Sequence, residues 1–182
     1  LIIPSGFTRR FGDICRRHGV RGKFSVIPMP SRLGRIDREL NQVSRSHLAG
    51  FLKIVRERIA PRFDITPEIL THATACNIKT GGWTRVYEDA WVAQASVAEM
   101  TDYFALAFRI LKNVGLDANG MTSPWNTGIT NERAYAHAIG NAQRRVYRRN
   151  HTWYFLHSVG RKAPMHCHFG FRDKARGGEV VS

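Results

Sequence analysis

Two short segments of the chain place polar side chains directly after apolar runs, where strand–helix proteins keep their reactive groups. The first is Ile69–Cys76, in which His72 and Cys76 are four residues apart. The second is Thr122–Gly128, which contains Pro124-Trp125-Asn126. In a repeating strand–helix fold, loops that follow parallel strands emerge at the same edge of the sheet. We therefore expect both segments to lie at one functional edge.

The spacing of His72 and Cys76 suits a metal pair. On a helical turn it would place the imidazole and the thiolate on one face, and zinc accepts both ligands. Two ligands do not define a zinc site, and the other interpretation is a packed histidine beside an inert buried thiol. The sequence leaves both interpretations open.

A further histidine, His157, follows the apolar segment Thr152–Leu156. At the end of a buried parallel strand it could donate or accept a proton near neutral pH, or it could be a structural histidine. Asp37, Asp64 and Glu68 could supply a general base or a metal ligand, but their spacing favours none of them.

The composition indicates a single soluble domain with a basic surface. The chain has 182 residues, 43% of them hydrophobic, which suffices for one well-buried core. Its three cysteines form no Cys-x-x-Cys pair, so neither a disulfide framework nor a cysteine-rich zinc module is predicted.

The formal net charge of +14 is concentrated at the two ends of the chain. Residues 1–62 carry 14 Lys and Arg against 4 Asp and Glu, and residues 143–182 carry 9 against 2. Residues 63–142 carry 5 against 8. Such a field attracts polyanions, including nucleic acid and acidic polysaccharide. A solvated basic surface without a specific partner is the alternative.

Nothing in the sequence predicts a membrane protein. No apolar run approaches the roughly 20 residues needed to span a bilayer, and Leu1–Pro4 lacks the features of a secretory signal. We therefore expect a cytoplasmic protein that does not bind membranes. Because the chain begins without Met, residues upstream of Leu1 stay an open question.

Hydrophobic periodicity predicts alternating helices and strands, and hence an α/β domain over residues 1–160 with a parallel sheet. Residues 77–94 are predicted to be irregular, with aromatic side chains that pack the loop or contact a sugar. A basic, loosely ordered tail is expected over residues 161–182. The predicted strands are 23–27, 68–71, 119–122 and 152–156, and the predicted helices are 7–18, 46–59, 96–114 and 131–149.

Taken in order, four segments resemble the polysaccharide deacetylase family, the chitooligosaccharide deacetylase-like hydrolases. Ile14–Val26 resembles the first helix and second strand of that family, and Thr71–Cys76 resembles its His-Ser/Thr-x-x-His zinc motif. Ser123–Gly128 is similar to the proline loop, Arg-x-Pro-Tyr/Trp-Gly. Phe155-Leu156-His157 is similar to the segment with the catalytic acid.

The resemblance implies a distorted or incomplete (β/α) barrel. It also implies an enzyme that removes an N-acetyl group from a carbohydrate or similar amide with the help of a divalent metal, with zinc as the favoured ion. It implies His72 and Cys76 as metal ligands, His157 as the catalytic acid, and Pro124, Trp125 and Asn126 as substrate-binding residues. The chain departs from the pattern because the family's Asp-Asp pair would lie at or before residue 1. The alternative function is a catalytically silent barrel whose basic ends bind acidic polysaccharide or nucleic acid.

Overall fold

The computed structural model describes residues 4–156 and 167–182, which form a mixed α/β structure. The described residues contain five α-helices, none of them long and apolar enough to cross a membrane. The helices are α1 Ser5–Arg17, α2 Arg45–Ile54, α3 Glu88–Gln94, α4 Val97–Asn113 and α5 Glu132–Tyr147, and a π-helical segment, Val55–Ile59, continues α2. The strands are β1 Gly22–Ser25, β2 Gly34–Arg35, β3 Glu39–Leu40, β4 Phe63–Thr66, β5 Thr74–Cys76, β6 Trp83–Tyr87, β7 Gly120–Thr122, β8 His151–Phe155, β9 Phe169–Asp173 and β10 Gly178–Val181.

Five of these strands run parallel in the order β1-β4-β7-β8-β10, and β9 adds an antiparallel edge. Isolated parallel bridges, Ile65 to Ala118 and Glu68 to Thr122, join β4 to β7. The carboxyl ends of β1, β4, β7 and β8 therefore lie side by side. Two small antiparallel hairpins, β2-β3 and β5-β6, lie outside this series.

The helices cover one face of the parallel strands. Phe11 of α1 packs against Phe24 of β1 and Phe63 of β4, with ring centroids 6.2 and 5.8 Å apart. On the same face, Tyr135 of α5 meets Tyr154 of β8 edge to face at 5.8 Å. The core therefore lies between the helices and the outer side chains of the strands.

The opposite face of the strands is polar and concave. Side chains stand roughly perpendicular to a sheet, and β1 and β8 are three strand spacings apart, which is about 14 Å in a flat sheet. Yet Nζ of Lys23 on β1 lies 5.4 Å from the centroid of the Phe155 ring on β8. The strands must therefore curve so that these two side chains converge.

Several sequence predictions are confirmed. The capping box between Ser96 and Glu99 opens α4, and Gly115 follows that helix with a φ of 74°. The strands predicted near residues 23, 119 and 152 are β1, β7 and β8. The second helix begins two residues earlier than predicted, because Ser44 rather than Ser46 accepts the capping hydrogen bond from the backbone of His47.

The strand predicted at residues 68–71 is wrong. The strand in this region is β4, and it ends at Thr66, before Pro67. Ile69 and His72 have φ values of 51° and 53°, which extended backbone does not allow. The apolar residues of the segment are buried in a turn rather than in a strand.

Two further predictions are corrected by the structure. Residues 77–94 are not irregular: β6 and α3 occupy most of them. Within the segment predicted to be a loose tail, β9 and β10 join the main sheet, with β10 between β8 and β9. The sequence signal was weak because glycines and charged residues interrupt both strands.

Among residues 4–156 and 167–182 the parallel strands form an open sheet that does not close on itself. Closure into a deacetylase-type barrel stays a prediction.

Gly128 provides a test of how the loop after β7 is held against α5. Its φ is 85°, and a Cβ there would lie 2.6 Å from the ring of the fully buried Tyr135. We expect Gly128→Ala to lower the free energy of unfolding by roughly 2 to 4 kcal/mol, because it adds both backbone strain and overpacking. Urea denaturation measures this change.

Gly50→Ala is the matched control, because a Cβ at this position in α2 meets nothing within 4 Å. It should be neutral or stabilise by up to about 1 kcal/mol. Equal effects of the two substitutions would contradict the packing described for Gly128.

Candidate functional site

The loops that follow β4 and β7 meet at the carboxyl edge of the sheet. The imidazole of His72 stacks on the indole of Trp125, with ring centroids 4.9 Å apart and an interplanar angle of 26°. Both residues have positive φ, 53° and 49°. The sequence prediction that the two segments lie at one edge is confirmed by this contact.

Glu68 adds a carboxylate beside the stacked histidine. Its Oε2 lies 2.9 Å from Nδ1 of His72, close enough for an ion pair when the ring is protonated. The two atoms are not aligned as a hydrogen bond, so proximity rather than directional bonding links them. Because the carboxylate lies next to Nδ1, the other ring nitrogen, Nε2, is available to exchange a proton with a bound molecule.

The backbone that presents His72 is held by a buried carboxylate, Glu88, the first residue of α3. Glu88 accepts hydrogen bonds from the backbone N–H groups of Leu70, Thr71 and His72, at 3.2, 2.8 and 2.9 Å. The hydroxyl of Tyr103 on α4 donates a fourth, at 2.8 Å. Three consecutive N–H groups on one acceptor fix the turn before His72, in which Ile69 also has positive φ.

Burial dominates the electrostatics of Glu88. It raises the pKa of this carboxyl to about 7, although the hydrogen bonds from Tyr103, Thr71 and His72 act in the opposite direction. Burial likewise raises the pKa of Tyr103, which stays a neutral donor. The carboxyl that organises the loop therefore changes charge near neutral pH.

A row of hydroxyl groups crosses the concave face beside this loop. Oγ1 of Thr66 and Oγ1 of Thr122 are 2.8 Å apart, and Oγ of Ser25 lies 3.3 Å from each of them. Lys23 donates from Nζ to Ser25 and to Thr122, at 3.1 Å in both cases. The row joins β1, β4 and β7 and sets an ammonium group at their carboxyl ends.

The predicted substrate-binding segment is partly exposed at the rim of this edge. Trp125 is 40% exposed, and the edge of its ring meets Tyr87, which is 58% exposed, at 6.0 Å. Pro124 is buried, and its carbonyl accepts hydrogen bonds from the backbone and the hydroxyl of Thr127. Asn126 is exposed. Trp125 and Asn126 are therefore accessible to a ligand, and Pro124 shapes the turn.

The two predicted metal ligands have different surroundings. Cys76 is buried in the hydrophobic core, where its backbone N–H donates to the hydroxyl of Tyr103. Burial, and then the charge of Glu88, raise the pKa of its thiol, which disfavours the thiolate. His72 instead faces Trp125 at the rim. His157, the predicted catalytic acid, lies outside the described residues.

A zinc site of three protein ligands is not complete within the described residues. Residues 4–156 and 167–182 contain no group of three or more His, Cys, Asp or Glu side chains suited to a metal. His72 and Glu68 form a pair only, and hydrolytic zinc sites use three protein ligands.

Sequence reasoning missed Glu88 and Lys23. For Glu88 the signal was the alternation Trp83-Thr84-Arg85-Val86-Tyr87, which is typical of a strand and places the acid directly after it. For Lys23 the signal is its spacing from Ser25, since positions i and i+2 of the predicted strand 23–27 share one face. Neither signal identifies the partners, which come from distant segments.

No family model, curated protein or solved structure matches this chain.

Glu88 gives the fold a specific pH dependence. Its pKa is about 7 in the folded chain against 4.5 as the ordinary value, so the folded state binds the proton more tightly. This group favours folding below about pH 4.5, and its contribution is lost as the pH rises to about 7. Replacing it in Glu88→Gln should change the stability difference from the wild type by on the order of 3 kcal/mol across that window.

Urea denaturation at closely spaced pH values measures this difference. Glu57→Gln, at an exposed position in the π-helical segment, is the control and should show no such trend. A stability difference for Glu88→Gln that is constant from pH 4.5 to 7 would contradict the assignment.

Proposed function

We propose that this protein is a hydrolase that removes an N-acyl group from a carbohydrate or a similar amide substrate. The observation that carries the proposal is the stacking of His72 on Trp125, beside Glu68, at the ends of two adjacent parallel strands. An acid–base pair, an exposed aromatic ring and a polar concave face are the parts such a site needs.

Hydrolysis of the amide bond requires two proton transfers. A water molecule attacks the acyl carbonyl while a base takes its proton, and an acid then protonates the departing amine. In the proposal His72 performs these transfers through Nε2, and Glu68 stabilises the imidazolium that forms. The 2.9 Å approach of Glu68 to Nδ1 supports this division of roles.

The sugar-binding part of the proposal is supported by the aromatic rim. The apolar face of a pyranose ring packs on flat aromatic side chains, which also exclude water from it. Trp125 and Tyr87 are the exposed aromatic groups beside His72. Trp125 would therefore orient the substrate, with Asn126 available for hydrogen bonds.

The resemblance to polysaccharide deacetylases supports the same reaction class. Two of its segments, Thr71–Cys76 and Ser123–Gly128, are the ones whose side chains meet in the His72–Trp125 stack. The associated fold, a distorted or incomplete (β/α) barrel, stays part of the proposal. A divalent metal, zinc by the resemblance, is also part of the proposal, with His72 and Cys76 as the ligands that the resemblance implies.

Release of acetate from N-acetylated chito-oligosaccharides tests the proposal. We expect the wild type to release acetate, and His72→Ala and Glu68→Gln to lower kcat/KM by about 100-fold or more, the size of an acid–base contribution. Parallel assays with zinc and with a chelator show whether a metal takes part.

His47→Ala is the matched control, since His47 lies on α2, where its backbone N–H donates to Ser44 at the start of the helix. Its activity should equal that of the wild type. If the folded wild type releases no acetate with or without zinc, the hydrolase proposal is wrong.

A second function, polyanion binding, is favoured by a difference between the two basic ends. Within the described residues no ion pair involves Arg9, Arg10, Arg16 or Arg17, which we call the basic α1 surface. The arginines at the end of α5 are instead largely neutralised, by the pairs Arg144–Asp173, Arg145–Asp102 and Arg149–Asp117. A polyanion would therefore bind α1 rather than α5.

Elution from a heparin column measures this preference. We expect Arg10→Gln/Arg17→Gln to elute at clearly lower salt than the wild type, because free guanidinium groups release counterions when they bind a polyanion. Arg145→Gln/Arg149→Gln removes the same charge from paired positions and should change elution less. Equal shifts, or a wild type that is not retained, would exclude the basic α1 surface as the binding site.

A further inference from the structure

The ammonium group of Lys23, an exposed side chain of β1, is positioned by hydroxyl groups of β1 and β7. Two of its three N–H groups are donated, to Ser25 and to Thr122, both at 3.1 Å. These hydroxyls belong to the row that also contains Thr66. The ammonium keeps a further N–H for a ligand, and its position is defined by three strands.

No ion pair involves Lys23 within residues 4–156 and 167–182. Asp64 is its register partner on β4 and shares its face of the sheet, but the two side chains are not in ion-pair contact. The contacts to Ser25 and Thr122 draw the ammonium toward the carboxyl edge, away from the level of Asp64. Glu68, the acidic side chain of that edge, lies beside His72 instead.

Aromatic side chains of β8 line the concave face next to Lys23. Phe155 is 46% exposed, and its ring centroid lies 5.4 Å from Nζ. Trp153, two residues earlier, lies on the same face and closely covers Gly120, where an added Cβ would be 2.5 Å from the indole. The absence of a side chain at Gly120 lets the indole lie against β7, which turns its outer face away from the strand.

We infer that the concave face is a subsite for an acidic sugar residue, with Lys23 binding the carboxylate and Phe155 and Trp153 packing against the sugar ring. The inference rests on the proposed function and names its substrate class: an N-acylated polysaccharide that contains uronic acid. The inference depends on the combination of two adjacent aromatic rings with a cation that is held by hydroxyl groups and has no ion-pair partner among the described residues. A neutral substrate would leave this cation without a partner.

Calorimetric titration with two matched tetrasaccharides tests the subsite. One alternates N-acetylglucosamine with glucuronic acid, and the other is the same compound with its carboxylates as methyl esters. We expect the wild type to bind the acid about tenfold more tightly than the ester, as one charge-assisted hydrogen bond allows. Lys23→Gln should bind the two equally, and Lys23→Arg should keep part of the preference.

Lys53→Gln is the control, because it makes the same substitution at an exposed position of α2 that belongs to neither the concave face nor the basic α1 surface. It should keep the wild-type preference. If Lys23→Gln keeps the preference, if Lys53→Gln loses it, or if the wild type binds acid and ester equally, the subsite is wrong. Acetate release from chito-oligosaccharides would then still support the hydrolase, whereas absence of both binding and acetate release would overturn both proposals.

Discussion

A buried carboxylate, Glu88, is the interaction on which the arrangement of this edge depends. In the turn at Leu70–His72 the carbonyls of Leu70 and Thr71 accept backbone hydrogen bonds from the segment after β1, whereas the three N–H groups bind a side chain. Glu88 accepts all three and also the hydroxyl of Tyr103. A single side chain thus joins the loop after β4 to α3 and α4. Without it, the two buried donors, of Leu70 and Thr71, would each lose a partner at a cost of about 1 to 3 kcal/mol.

The two faces of the parallel strands have separate roles because side chains alternate along a strand. Outward residues such as Phe24, Ile65 and Tyr154 pack with the helices and stabilise the fold. Inward residues such as Lys23 and Thr122 are polar and meet across the strands. Curvature brings them together, so the face that contributes least to the core contains the groups that suit a ligand.

Ion pairing, and not only composition, determines where positive charge remains exposed on this protein. Both ends of the chain are basic, but acidic residues from α4, from β9 and from the segment before β7 neutralise most of the arginines that end α5. The arginines of α1 lack such partners in the described part of the chain. Positive charge is therefore less neutralised at α1 than at the end of α5. Lys23 on the concave face is a separate feature with its own neighbours.

The sequence alone determined most of the helices, three of the parallel strands and the meeting of the His72 and Trp125 segments, because periodicity and caps are local and parallel strands share an edge. It did not determine β4, β9 or β10, whose short or glycine-containing runs become strands only through their neighbours. The strand β6 was missed although its residues alternate as a strand does. The sequence could not show that Cys76 is buried while His72 lies at the rim, since burial of the thiol depends on Tyr103 and the core. The partners of Glu88 and Lys23 were likewise decided only by tertiary structure. A hydrogen bond between residues 99 positions apart, as from Lys23 to Thr122, leaves no trace in local spacing.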